Sequence, residues 1–444
     1  MKQANRSLSL RGMRLLWMLG AVLLAGWAAL PARAATSAIS RTLEPVVVSN
    51  VFSGTPVDEV FVYTYSAGDG WKQIVHQVDE RNAVGAYVAS EDGVMDANDE
   101  VVFMSGDLGS MATPATWITK TVTSVDPTTI YEVAVTNPLN PAEKGYAYLV
   151  RSSTLAPDGS LTPYMQGFNE ADQVITAQNY VIGWAEDFGG LDYLALFGGP
   201  DILDRTKLRA EISAFGQTQT LTEDAIDTQD VSLDKAGPVR VIVHVVPSDP
   251  RLENVISTTT LAYASYIETI TRIDASAVPS AATLKSVRLS TDLLPSASGA
   301  IYYDENTAAG VTIDGSPDNV AATPFADGWR QVSLDSGTTV QVFSIEGDLQ
   351  AGKQHFYQDD TSPDNDTGDG MAYGDSGLLL TNPQGGVFAI NSAQYFLPNK
   401  QGNVGAVWSG NSQQPLVVGV ADKGDKGDLT AIYLPLLLQP TPGQ

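Results

Sequence analysis

From residue 43 onward the chain is a succession of short runs, four to nine residues long, rich in Val, Ile, Thr and Tyr and broken by Gly, Pro, Asn or Asp. That is the pattern of strands joined by turns. In the first part the runs fall at 45–51, 60–65, 73–78, 101–104, 116–123, 129–135 and 145–151, and no window there holds a helical period. A Pro-, Gly- and Ser-containing stretch at 153–163 reads as a linker or a long hairpin turn. The pattern then resumes at 174–182, 193–197, 207–215, 239–246, 257–263, 267–273, 284–291, 300–303, 329–333, 339–345, 387–390, 393–397, 406–408, 416–420 and 429–438. So many strands exceed one small sandwich. The expected fold is all-β and antiparallel, with a sandwich-like N-terminal module over 35–155 and a larger sandwich or supersandwich body over 160–438. Residues 439–444 should fray, and the apolar run 432–438 reads as a last buried strand or a surface-retention signal. The lack of a repeat of fixed period argues against a propeller or solenoid.

The start of the chain departs from this pattern. Lys2, Arg6, Arg11 and Arg14 precede an apolar run from Leu15 to Leu30, which closes on Ala32-Arg33-Ala34. Residues 1–34 therefore read as a cleaved export signal, too short for a comfortable bilayer span. The expected location is secreted or at the cell surface, with no integral membrane span once the signal is gone. Those residues hold five basic and no acidic side chains, so their removal moves the formal charge from -26 to -31. Such a charge disfavours nucleic acid and anionic membranes as partners, and favours cations. With no cysteine, an exported chain of this size must rest on a large core, with ions as possible local staples.

The densest candidate chemistry is acidic. The turn Glu91-Asp-Gly-Val-Met-Asp-Ala-Asn-Asp-Glu100 places five carboxylates, an asparagine and a glycine within ten residues between two strand runs. Calcium takes six to eight oxygens, which such a turn supplies while glycine lets the backbone reverse. Asp92, Asp96, Asn98, Asp99 and Glu100 are the candidate ligands, although a full helix-loop-helix hand does not fit. A second cluster, 359–370 with Asp375, offers Asp364, Asp366, Asp369 and Asp375, and reads as a cation loop, a flexible acidic loop or an acid pair. The run Asp422-Lys-Gly-Asp-Lys-Gly-Asp428 balances its own charge and reads as a hairpin turn. Calcium is thus the expected cofactor.

The segment from Asp92 to Asp99 resembles the second half of dockerin and thrombospondin type-3 calcium repeats. The wider pattern, Gln77-Val-Asp-Glu80 through Asp92-Gly93 to Asp99-Glu-Val-Val-Phe-Met104 and Asp107, resembles a recurring module of exported bacterial β-proteins to which no activity is assigned.

Histidine occurs only at 76, 244 and 355, in no zinc-binding spacing, and no nucleophile elbow, P-loop or dinucleotide fingerprint is present. One constellation stands out. Period-two alternation places Arg240, Ile242 and His244 on one strand face, and Glu268, Ile270, Arg272 and Asp274 on another. With Tyr263 and Tyr266 nearby, Arg240, His244, Glu268 and Arg272 could bind a carboxylated sugar or abstract its proton, while a cross-strand ion pair on a solvated sheet face explains the same residues. Gly237-Pro-Val-Arg240 resembles strands of mutarotase-like supersandwich proteins, among them polysaccharide lyases. Trp71 and Trp329, each after an Asp-Gly pair, are candidate sugar platforms. Two function classes follow: a calcium-stabilised surface protein that binds glycans or extracellular polysaccharide, or a carbohydrate-active enzyme. A surface-layer or adhesin component with no small-molecule site is a third.

Overall fold

The computed structural model describes residues 39–431, apart from 89–91, 127–128, 227, 251, 278–280, 321, 325–327, 348, 364–365, 385 and 424–429. The export signal, the apolar run 432–438 and the end of the chain lie outside the described residues. Those that are described form an all-β protein with five antiparallel sheets of three, four, five, six and nine strands. They belong to one compact unit.

The nine-stranded sheet is the middle of the structure. Its order is Gln229–Ala236, Val241–Pro247, Ile256–Ala262, Tyr266–Asp274, Val387–Pro398, Gly337–Gly347, Trp329–Leu334, Ile301–Asp304 and Val311–Thr312. One face packs on the three-stranded sheet of Pro45–Ser49, Glu100–Met104 and His76–Asp79, through Val102, Met104, Ile242, Leu261, Tyr263, Tyr266 and Tyr395. Alternation turns Val46, Val48, Val101 and Phe103 of the small sheet the other way, onto the six-stranded sheet. That sheet runs Thr430–Ala431, Val417–Asp422, Ile130–Thr136, Lys144–Arg151, Val60–Ser66 and Gly70–Gln73. Val417–Asp422 thus returns from the far end of the chain to pair with Ile130–Thr136. Its Val418 and Val420 complete the N-terminal core.

The opposite face of the nine-stranded sheet has two covers. The four-stranded sheet Leu191–Leu196, Tyr180–Trp184, Val174–Ala177 and Met165–Asn169 packs through Ile182, Trp184 and Leu194 on Val241, Val243, Val245 and Ile267. The five-stranded sheet Gln217–Leu221, Leu203–Ala214, Ala282–Leu293, Ala372–Gln384 and Gln350–Asp360 packs through Val287, Leu378 and Leu380 on Ile273, Phe343, Phe388 and Ile390. Between the two covers runs a seam.

Two expected strands take other forms. The run 116–123 is built of 3-10 turns, Pro114–Thr116 and Ile118–Lys120, that cap the outer core of the six-stranded sheet through Ile118. The run 406–408 lies in the helix Gly405–Gln413. Gly405 is where that helix meets Trp329: a Cβ there would overlap the indole ring.

Candidate functional site

The residues singled out as a catalytic face do share a face, but not a cleft. Register places His244 opposite Thr259, Thr259 opposite Ile270, and Leu261 opposite Glu268. This is the face covered by the three-stranded sheet. Arg240 is fully buried there, its Nε donating to Asp79 Oδ2 at 2.7 Å, its Nη2 to Glu100, and its Nη1 to the Tyr263 hydroxyl at 3.1 Å. Gln77 Oε1 accepts from the backbone N–H of both Val239 and Arg240, and Gln77 Nε2 donates to Asp79. Arg81 donates to the other Glu100 oxygen at 3.0 Å, and the Tyr87 hydroxyl also donates to Glu100. Arg240, Glu268, Tyr263 and Tyr266 thus come together, with Tyr263 and Tyr266 stacked at 5.7 Å between ring centroids. What they form is a seal between layers. His244 stands apart, half-buried with its Nδ1 by Thr259 Oγ1, and Arg272 is exposed.

Glu268 is 8 % exposed, and burial pushes its carboxyl up to about 8 against the pull of Arg240. The aromatic platforms are likewise taken up in packing. Trp329 is buried, and Trp71 lies edge-on to Tyr148 with its Nε1 donating to the Thr116 carbonyl.

The acidic loops are met by nitrogen donors. Gly93 takes the left-handed conformation expected of a turn glycine, and its N–H donates to Glu80. Asp99, 1 % exposed, accepts from the N–H of Arg81 and of Asp96, Asp92 accepts from Val94, and Asn98 donates to the Arg81 and Asn82 carbonyls. In the second loop Asp364 lies outside the described residues. Asp366 accepts from Lys207 at 2.9 Å and from Arg209. Burial pushes the Asp366 carboxyl up, but the bonds from Lys207 and Arg209 outweigh it and hold it below the usual range. Asp369 is exposed and accepts from Met371. Asp375 is fully buried on the outer face of the five-stranded sheet, 3.6 Å from Lys207 Nζ and 3.4 Å from Arg288 Nη2. Among the described residues no three His, Asp or Glu side chains converge on a cation position. Among the described residues, Arg81 and Arg240 bring positive charge to Glu100, Lys207 and Arg209 to Asp366, and Lys207 and Arg288 to Asp375.

A cavity of about 170 Å³ lies in the seam, a feature that the sequence reasoning did not pick out. Its floor is a polar belt across the nine-stranded sheet. Thr258 pairs with Thr271 and Thr260 with Thr269, Ser392 stands opposite Thr269, and Gln341 opposite Gln394. Arg330, opposite Gln341, extends the belt by one strand. Apolar clusters flank it on both sides. The roof brings Thr206 and Thr291 from the five-stranded sheet, and Ile182, Trp184 and Leu194 from the four-stranded one. Within the belt Gln341 Nε2 donates to Ser392 Oγ at 2.7 Å, and the Thr258 and Thr271 hydroxyls lie 3.2 Å apart. The described lining includes no carboxylate and no histidine.

No protein-family model matches this chain, and no curated protein does. Among solved structures, an alpha-N-acetylgalactosaminidase from Bifidobacterium bifidum, in complex with GalNAc, aligns at 9% sequence identity and a TM-score of 0.33. The alignment spans 51% of this chain and 36% of that one.

Arg240→Ala should cost about 3–5 kcal/mol in chemical denaturation, because Asp79 and Glu100 would stay buried without their cation; a loss below about 1 kcal/mol would show that water replaces the guanidinium. For Glu268 the folded carboxyl titrates near 8 and the unfolded one near the ordinary 4.5. The native state therefore holds the extra proton, and stability falls as pH rises from about 4.5 to 8. Glu268→Gln should raise Tm at pH 9 and change it little at pH 5, and an equal shift at both would rule out this titration. Chelation by EGTA should leave Tm unmoved if the loop carboxylates are balanced by arginine and lysine, whereas a drop of several degrees would mean that calcium completes the loops.

Proposed function

We propose that this is an exported or surface-held binding protein whose cavity between sheets takes a small, hydroxyl-rich ligand of sugar type. The observation that carries the reading is the polar belt. Hydroxyl and amide side chains, Thr258, Thr260, Thr269, Thr271, Gln341 and Gln394, occupy inward positions between two apolar clusters. Inward positions of a sandwich are ordinarily apolar, since a buried hydroxyl without a partner costs about 1–3 kcal/mol. Hydrogen bonds within the belt pair Thr258 with Thr271 and Gln341 with Ser392; a ligand bearing many hydroxyls adds to these partners from the cavity side, and Trp184 and Phe343 in the lining offer flat faces for its C–H groups. With no carboxylate or histidine in the described lining to move a proton, binding fits the site better than hydrolysis or elimination. The basic start, apolar run and Ala32-Arg33-Ala34 support export.

The test is a thermal-shift screen of neutral hexoses, hexosamines, sugar acids and disaccharides on the wild type and on Thr269→Phe, which fills the cavity. A ligand at a hundred times its Kd should stabilise the wild type by about 2.7 kcal/mol and leave the variant unmoved. A variant that binds as well as the wild type would place the site elsewhere.

A further inference from the structure

Among the described residues Lys207 is the one buried lysine. It lies on the outer face of the five-stranded sheet with Asp292 and Asp375, and all three side chains are fully buried. Three adjacent strands supply them: Leu203–Ala214 carries Lys207, Ala282–Leu293 carries Asp292 and Ala372–Gln384 carries Asp375. Lys207 Nζ is 2.5 Å from Asp292 Oδ2 and 3.6 Å from Asp375 Oδ2. The Tyr373 backbone N–H donates to the other Asp292 oxygen, Oδ1, at 2.7 Å. Neither Asp375 oxygen has a hydrogen-bond partner among the described residues, while Arg288 Nη2 stands 3.4 Å from Oδ2.

A lysine held dry against a carboxyl group is an amine nucleophile beside an acyl group. We propose that Lys207 and Asp292 condense into an intramolecular isopeptide bond, with Asp375 as the base. Burial alone would strip the Lys207 ammonium of its proton, but Asp375 and Asp292 outweigh it and hold the amine charged, so a base is required. Burial and the charge of Asp375 push the Asp292 carboxyl up, toward its protonated form, against the pull of Lys207. Asp375 takes one proton from the ammonium, the nitrogen attacks Asp292 Cγ, and the charge that develops on Oδ1 faces the Tyr373 N–H. The Nζ–Cγ bond forms and the Cγ–Oδ2 bond breaks. Oδ2 leaves as water, with its own proton and a second from the nitrogen, and Asp375 ends protonated. One buried ammonium and one buried carboxylate are thereby neutralised. Asp366 also accepts from Lys207, but it accepts from Arg209 and the Thr367 N–H as well, donors that favour the unreactive carboxylate. In a chain without cysteine, the bond ties positions 85 apart as a disulfide does elsewhere.

The experiment is intact mass spectrometry of the purified protein, its N-terminus first read by sequencing, followed by peptide mapping. The expected mass falls short of the sequence by one water, with Lys207 and Asp292 recovered in one branched peptide. Lys207→Arg, Asp292→Ala and Asp375→Asn should each show the full mass, and should migrate behind the wild type on a denaturing gel, where the closed loop keeps the chain compact. A wild type of full mass would overturn the proposal, and so would a lost water that maps to an Asp-Gly step or to Asp366. The wild-type mass decides even where a variant fails to fold. Condensation that persists in Asp375→Asn would overturn the role of Asp375 as base.

Discussion

The Arg240 guanidinium is the constraint from which the layering follows. A charge in that position cannot be left unpaired, since an isolated buried ion costs several kcal/mol even after relaxation. Asp79 and Glu100 come to it from the three-stranded sheet, and Gln77 fixes the backbone on either side of Val239 by accepting from the N–H groups of Val239 and Arg240. Close approach is possible because Gly237 has no side chain: a Cβ there would overlap Gln77. Such a network adds little net stability compared with an apolar seal, but it accepts one register and no other. It thereby commits one face of the nine-stranded sheet to the N-terminal layers and leaves the opposite face for the two covering sheets. The seam exists because that second face is shared.

Much of this was legible along the chain, and the failures have physical causes. Period-two alternation located most strands, and it grouped Arg240 with His244 and Glu268 with Arg272 on faces that do coincide. It could not say which layer covers that face, because alternation has two sides and no sign. Strands Gln217–Leu221, Gln229–Ala236, Gln350–Asp360 and Ala372–Gln384 went unnoticed because Gln, Asp and Gly dilute their apolar rows. Gln217–Leu221 is exposed throughout and Gln229–Ala236 is the edge of its sheet, so neither needs such a row. The run 406–408 was too short to tell helix from strand.

The acidic loops pose a related question in electrostatic form. Carboxylates at close spacing announce a need for positive charge, but do not name its source. Asp366 meets Lys207 and Arg209, more than 150 positions away in the chain, and Glu100 meets Arg240, 140 away. Local spacing favours an ion, because an ion is the one cation that a loop can take up without help from the rest of the fold. Once the sheets bring distant strands together, arginine and lysine compete for the same oxygens.

The polar belt went unread for a subtler reason. Threonine is a good strand former, and Ser257-Thr-Thr-Thr260 and Thr269/Thr271 were counted as strand signal on the strength of their branched Cβ. Valine has the same branching and nearly the same volume, and at an inward position would give the same strand without a hydroxyl to satisfy. Val241, Val243 and Val245 on the next strand, facing the same way, show that the sheet accepts it. Packing therefore does not call for threonine at four adjacent inward positions, nor for Gln341, Ser392 and Gln394 beside them. Strand propensity is silent on the difference between a methyl and a hydroxyl, and that difference is what separates a wall of the core from the floor of this cavity.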